Sequence, residues 1–262
     1  MKIVFLTGSH PRHAYTARCL AESGALAGLV IERREAFVPE LPAGLPAATE
    51  ALFRLHFARR DEAEARHFGE AQLPDIATRT IDIDGLNTPA TVDFINGFKP
   101  DLVLSYGVHK LTPETLAGLS APLKWNIHGG LSPWYRGVTT HFWPSYQLEP
   151  QMTGMTVHET TDAIDGGAVI HQSAAKLHRG DGLHDLACRA VMALGEEMPR
   201  LVAALANLKP PKPQGTTGRI WRSADWRPEH LHLIYDLYDD RIVDRYLDGD
   251  FIQSEPKLFR QF

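Results

Sequence analysis

Asn126 and His128 stand two residues apart in the stretch WNIHGGLSPWYRG (Trp125 to Gly137), and Asp165 follows in TDAIDGGAVI (Thr161 to Ile170). Acyl transfer needs these three groups: an amide N–H for a developing oxyanion, a titratable ring, and a carboxylate that orients or charges the ring. The apolar residues before Asn126 deliver the polar pair at the end of a buried strand, and Gly129-Gly130 let the backbone turn sharply. Taken singly, each residue has a duller use. A strand-end Asn is commonly a turn former, a lone His a satisfied polar residue, and an Asp before Gly-Gly a turn aspartate. Their joint order and spacing outweigh those readings.

The elements that must position them alternate in the manner of an α/β chain. Lys2 to Leu6 predicts a first strand, Ala14 to Ala21 a helix closed by Gly24, and Leu26 to Ile31 a second buried strand, which together start a right-handed parallel sheet. Ala47 to Ala71 predicts one or two amphipathic helices with Leu52, Leu55, Phe57 and Phe68 on the apolar side. A third strand is expected around Ala77 to Ile83, a helix at Thr91 to Phe98, and a short buried strand at Leu102 to Ser105. That strand opens into SYGVHKL, a loop at a strand's carboxyl end, where open α/β sheets bind ligands. Thr112-Pro113-Glu114 has the cap, proline and first-turn acid of another helix start.

Beyond the Asn-His stretch, Thr139 to Gln147 predicts a short aromatic helix. Gly154 to Thr160 and Ala168 to Ala174 predict two strands, with Asp165 on their connection and Gly166-Gly167 as a tight reversal. His141, His158 and His171 read as packing or surface residues, as do Trp125, Trp134, Phe142 and Trp143. Apolar residues from Leu183 to Leu208 recur at helical spacing, with a kink at Pro199. KPPKPQGTTG (209–218) is the linker signal, so the expected organisation is a catalytic domain over 1–208 and a small appendage over 219–262. The appendage is expected to hold a helix at Pro228 to Tyr238 and a β-hairpin turning at Asp248-Gly249. Its 44 residues are too few for a core of their own, so it should dock on the main domain or on a second copy. A homodimer through the hairpin's Ile242, Tyr246, Leu247 and Phe251 is the form considered.

Composition narrows the function classes. The chain has 262 residues, 44% of them hydrophobic, and a formal net charge of -5, with no general basic field for nucleic acid. Its two cysteines, Cys19 and Cys188, lie far apart and suggest neither a disulfide framework nor a metal site. The opening apolar run is too short for a signal peptide and no stretch is long enough to span a membrane, so a cytoplasmic protein is expected. The first turn, GSHPRH, lacks the glycine fingerprint of a dinucleotide site, which counts against a nucleotide-dependent dehydrogenase.

NIHGGLSPWYRG followed by GMTVHETTDAIDGGAVIHQ resembles the catalytic core of the 10-formyltetrahydrofolate-dependent formyltransferases, with their Asn-x-His, Leu-x-Pro-x-x-x-Gly and Asp-x-Gly signatures in the same order. The resemblance covers about Leu102 to Gln172 well, and the N-terminal units in general character only. It implies an α/β, Rossmann-like formyltransferase fold, mostly parallel with flanking helices, and 10-formyltetrahydrofolate as co-substrate. In such enzymes amine attack on the formyl group builds a tetrahedral carbon with a negative oxygen and a positive nitrogen. Asn126 would donate to the oxyanion, a contribution worth about 3 kcal/mol for one such donor. His128 would add to that stabilisation as a cation, or take the amine's proton as a neutral ring, and Asp165 would hold the ring and raise its pKa. The resemblance also implies a folate site lined by Tyr106, Val108, His109, Lys110, Leu111, Asp162 and Ile164, with backbone groups reading the pterin. Arg136 either meets an anionic group or braces its loop.

Two departures bear on the acceptor. Gly129-Gly130 replaces the Pro-Ser type of pair that often follows the catalytic His, and GSHPRH does not match the loop that glycinamide ribonucleotide formyltransferases use for phosphate. The post-linker segment is also short for a methionyl-tRNA formyltransferase. The expected reaction is therefore N-formylation of a small-molecule amine, with a nucleotide-linked amino sugar as the best candidate by resemblance to the sugar N-formyltransferases. The alternatives are a 10-formyltetrahydrofolate hydrolase, against which no regulatory domain ahead of the core is noted, and a catalytically silent folate- or metabolite-binding module.

Overall fold

The computed structural model describes residues 1–33, 39–70, 72–215 and 219–262. Ala71 in the expected helical stretch and Thr216 to Gly218 of the expected linker lie outside the described residues. The strands are β1 (Ile3–Thr7), β2 (Leu26–Glu32), β3 (Thr78–Ile81), β4 (Leu102–Tyr106), β5 (Leu123–His128), β6 (Tyr135–Gly137), β7 (Gly154–Glu159), β8 (Val169–Ala174) and β9 (Arg219–Trp221). The α-helices are α1 (Pro11–Glu22), α2 (Ala47–Phe68), α3 (Ile83–Leu86), α4 (Pro89–Gly97), α5 (Pro113–Gly118), α6 (Trp143–Tyr146), α7 (Leu183–Ala203) and α8 (Ile242–Leu247). Seven strands form one sheet in the order β3-β2-β1-β4-β5-β7-β8. The first five are parallel, whereas β7 runs antiparallel to both β5 and β8.

Strand alternation divides the core into two layers, because successive side chains leave a strand on opposite faces. Ile3, Phe5, Leu29, Ile31, Leu102 and Leu104 pack with Ala17 and Leu20 of α1 and with Leu186, Val191, Leu194, Met198 and Leu201 of α7. Their in-between neighbours Val4, Leu6, Val30 and Val103 meet Leu86, Ile95, Leu119 and Ala121 on the opposite side. Both faces of β1 and β4 are thus covered, which is why those strands read as continuous apolar runs. The long helix continues through Pro199 to Ala203. Ala47 to Phe68 is one helix, with Phe53 in the core and Leu55 left 37% exposed, contrary to the expected apolar side.

The chain after residue 218 docks as its size requires. Trp221, Leu231, Ile234, Tyr235 and Ile242 share a cluster with Leu52, Phe53 and Phe57 of α2 and with Tyr135, Phe142 and Trp143. Trp143 stacks on Trp221 with ring centroids 4.1 Å apart, and β9 pairs in parallel with β6. The expected helix near Pro228 is an irregular one: a 3-10 turn at Pro228–His230 leads to a π-helical turn at Leu233–Leu237.

The expected hairpin is absent and helix α8 stands in its place. Ile242, Val243 and Tyr246 are buried, a helical rather than an alternating set. Asp248-Gly249 is the helix's C-terminal stop, with Gly249 at φ 87°, and not a hairpin turn. Ile242 and Tyr246, two of the side chains considered for a dimer contact, are therefore spent inside the chain's own core.

The free edge of β8 is covered rather than open. Val169 exchanges backbone hydrogen bonds with Lys212, the Gln172 N–H donates to the Phe259 carbonyl, and the Phe259 N–H donates to the Gln172 side-chain Oε1. Such cover blunts a sheet edge that would otherwise pair with another chain. Among the described residues no helix is long and apolar enough to cross a membrane.

Candidate active site

The carboxyl ends of β4 and β5 open into a cleft of about 710 Å³, lined among others by Gly107, Asn126, His128 and Asp165. Asn126 and His128 occupy the last turns of β5, and Asp165 reaches them from the β7–β8 connection. The structure brings the three together.

Asn126 is held in one orientation. Ser105, its neighbour on β4, donates its hydroxyl to Asn126 Oδ1 at 2.8 Å, so Nδ2 is the donor end. His158 pairs with Asn126 across the antiparallel β5–β7 register, and its Nε2 lies 3.2 Å from that Nδ2. The His158 Nδ1–H donates to the Glu159 carbonyl at 2.8 Å, which makes Nε2 the acceptor. One amide hydrogen of Asn126 is used in this way, and the second is left for a ligand oxygen in the cleft.

His128 is buried, with its Nε2 2.7 Å from the Tyr135 carbonyl and its Nδ1 3.3 Å from Asp165 Oδ2. The carbonyl selects the Nε2–H tautomer, so Nδ1 is the basic nitrogen. Burial pulls the ring's pKa below its ordinary value, although Asp165 and the Tyr135 carbonyl oppose that shift. The resting ring is therefore neutral near pH 7. A proton on Nδ1 replaces a contact between a lone pair and a carboxylate with an ion pair. Gly130 makes this seat possible: a Cβ there would lie 2.3 Å from the Tyr135 oxygen and 2.7 Å from His128 Nε2. The Gly-Gly pair that sets this stretch apart is thus part of the histidine's support.

Asp165 has φ 45°, a left-handed conformation that Asp tolerates better than most residues. Its carboxylate accepts the Gly137 N–H at 2.8 Å and lies 3.5 Å from His158 Nε2. Burial acts to raise its pKa, but the His128 charge, the His158 contact and the Gly137 N–H together hold it at about 2. The turn is made by Ile164 and Asp165, not by the glycine pair. Gly167 serves close packing instead, since a Cβ there would fall 1.8 Å from the Glu159 carbonyl oxygen.

Of the residues expected to line a folate site, Tyr106 and Val108 do border the cleft. Between them, Gly107 at φ 70° lets the His13 ring approach so closely that a Cβ would sit 2.3 Å from its Nε2. The other five stand outside the cleft wall. His109 turns to Glu32, a fully buried carboxylate at the end of β2, which accepts the His109 N–H at 2.8 Å and also contacts the ring. Lys110 donates from Nζ to the Asp162 carbonyl at 2.9 Å, tying the two loops together. Leu111 is buried in the apolar layer, and Ile164 is 56% exposed. Arg136 is close to His128, where its charge is one of the influences lowering the ring's pKa. Phe142 borders the cleft as well as packing in the core, Trp125 and Trp143 are buried, and Trp134 is 37% exposed.

Four contributors escaped the sequence reading: His158, Ser105, the Tyr135 carbonyl and the Gly137 N–H. The signal for His158 was the antiparallel pairing of the two strands, which sets it beside Asn126; the two backbone groups carried no side-chain signal at all. The opposite wall of the cleft is aromatic, with Phe53, Phe57, Phe142 and Trp226 around His56, and Arg60 nearby.

Fold and site together define an α/β enzyme with an amide, an imidazole and a carboxylate at the carboxyl ends of its central strands. A family model described as Formyl transferase matches residues 58–202, more than half of the chain. The chain belongs to the formyl transferase family. It is 29% identical over 121 residues to the bifunctional polymyxin resistance protein ArnA of Wigglesworthia glossinidia brevipalpis, a match covering 45% of this chain but only 18% of that relative. Among solved structures, a sugar N-formyltransferase from a Shewanella species superposes with a TM-score of 0.56 at 16% identity, covering 89% of this chain and 87% of that one. A phosphoribosylglycinamide formyltransferase from Anaplasma phagocytophilum gives 0.55 at 17% identity, covering 85% and 98%. These two likenesses establish the shared fold.

Proposed function

We propose that the protein transfers the formyl group of 10-formyltetrahydrofolate to the amine of a small molecule, a nucleotide-linked amino sugar. The observation that carries this reading is the convergence of Asn126, His128 and Asp165, with His158 behind them, on one cleft wall. Its size falls in the range of small-molecule sites, about 300–1,000 Å³. The donor half fits a flat, hydrogen-bonding ring system through the loop Tyr106–Val108 at the end of β4. The aromatic wall and Arg60 on the other side suit an acceptor with a planar base and anionic groups. The name of one relative, a sugar N-formyltransferase, supports an amino sugar as acceptor.

In this reading Asn126 Nδ2 donates to the oxygen that gains negative charge, held ready by Ser105 and His158. His128 enters neutral and takes up the amine's proton at Nδ1, where Asp165 stabilises the imidazolium. As the tetrahedral carbon collapses and its bond to N10 of the folate breaks, that proton passes to N10 and tetrahydrofolate leaves. The His128 Nε2–H stays fixed on the Tyr135 carbonyl throughout. Asp165 stays ionised, because its pKa lies far below the working range.

Incubating the protein with 10-formyltetrahydrofolate, with and without a panel of nucleoside-diphosphate-linked amino sugars, tests the proposal. Formyl transfer that requires one of these amines is the expected result. Formate release without any amine would replace it with a hydrolase, and donor binding without turnover would leave a silent binding module.

A further inference from the structure

Residues 209–218, beyond the family match, were expected to act as a linker. Gln214 departs from that role. Its side-chain amide Nε2 donates to the carbonyls of both Asp165 and Gly167 at 2.7 Å each. One NH2 group thus spends its two hydrogens on two peptide groups of the same turn, the turn that carries the catalytic carboxylate. Gln214 is itself anchored two residues earlier, where Lys212 and Val169 exchange backbone hydrogen bonds at 2.7 and 2.8 Å.

The same chain region holds the carboxylate's backbone donor. Gly137 presents its N–H to Asp165 from β6, and β6 is paired with β9 in the register Gly137↔Trp221. Val138 N–H donates to the Trp221 carbonyl at 2.9 Å, and a Cβ on Gly137 would fall 2.0 Å from that oxygen. Asp165 must meet the Gly137 N–H, His128 and His158 at once, from a backbone in the left-handed region that only its surroundings hold in place.

We infer that Gln214 is a positioning residue for the formyl-transfer reaction, and that Gln214, anchored through Lys212, and β9, through β6, fix Asp165 against His128. The inference rests on the proposed role of Asp165 beside His128. In physical terms the two 2.7 Å bonds fix the Asp165–Gly166 and Gly167–Ala168 peptide planes, on either side of the Gly166-Gly167 pair. A rotation of that turn moves the carboxylate relative to the ring, and a misplacement of about 1 Å at a reacting centre costs about 10²-fold in rate. The family match, over residues 58–202, ends before Gln214.

The test uses Gln214→Glu, which keeps the shape and replaces the donor with a carboxylate facing two carbonyls, and Gln214→Ala as a second variant without that repulsion. Two readouts separate positioning from mere support. In the full-length protein carrying ¹⁵N-labelled histidine, the ring resonances of His128, assigned by their loss in His128→Gln, are expected to shift in both variants while cooperative unfolding is retained. This arm needs no acceptor, so it stands apart from the acceptor assignment. With the amino sugar that supports turnover, kcat is expected to fall by about 10²-fold in Gln214→Glu, and less in Gln214→Ala, at unchanged KM for the formyl donor. Unchanged His128 resonances in a folded Gln214 variant would overturn the inference, as would a raised KM with wild-type kcat.

Discussion

Two pairs of buried histidines lie at the same cleft, one with His158 set behind the wall that His128 lines, and they differ in one group. His128 and His158 share Asp165, at 3.3 and 3.5 Å. His56 and His184 lie 3.2 Å from each other, Nδ1 to Nε2, and the further partner of His56 is the Tyr235 hydroxyl at 2.9 Å. Burial and the Arg60 charge drive His56 down to about 3, and burial with His56 and Arg60 drives His184 well below its ordinary value. Neither ring of that pair takes a proton in the neutral range. At His128 burial also lowers the pKa, but Asp165 pulls the other way and makes protonation at Nδ1 an outcome the site can support. A carboxylate on a turn therefore separates an imidazole whose protonation is supported from one whose protonation is not, although residue type and burial are the same.

The largest effects should come from the first cluster. Asn126→Ala, His128→Ala and Asp165→Ala are each expected to lower kcat by about 10²–10³-fold while the protein stays folded, measured by steady-state formyl transfer and circular dichroism. Full activity in any two of them would erase the distinction between the clusters. A middle-sized effect concerns stability. Folding lowers the pKa of Asp165 from the ordinary 3.8 to about 2, so its ionised form contributes stability that is complete above pH 3.8 and is lost as pH falls towards 2. Across that window, wild-type protein should lose on the order of 2 kcal/mol more than Asp165→Asn, read by urea unfolding at several pH values. Parallel curves for the two proteins would mean the carboxylate is not held as described. The smallest effect belongs to the second cluster: Tyr235→Phe should cost about 1 kcal/mol in unfolding free energy and leave kcat unaltered. A large kcat loss there, at full stability, would give the second pair a share in the proton transfer.

Much of the frame was legible in the chain itself. The strand–helix alternation from Ile3 to Leu104, the long helix after Leu183 and the strands flanking Asp165 follow from periodicity and from residues that punctuate the backbone. The failures have physical causes. Asp248-Gly249 serves equally as a hairpin turn and as a helix stop, and what decided between them was the burial of Ile242 and Val243 among neighbours far away in sequence, those of α2 among them, with Tyr246 buried on the same helix. What the sequence did not show of His109 is its partner: Glu32, a fully buried carboxylate, accepts its N–H and contacts its ring. His158 read as a packing residue because strand alternation tells which face a side chain occupies and not what stands across from it.

By itself the sequence determined the chemistry available: an amide and an imidazole two residues apart at a strand end, and a carboxylate on a glycine-rich connection. Those are local facts, set by spacing along one stretch of chain. The protonation state of His128, the orientation of the Asn126 amide and the grip on Asp165 were decided by the tertiary structure alone. Each depends on groups brought in from elsewhere: a carbonyl of Tyr135, a hydroxyl of Ser105, an N–H of Gly137 and the amide of Gln214. Backbone donors and acceptors are the same in every residue, so no pattern of side chains announces which of them will meet a catalytic group.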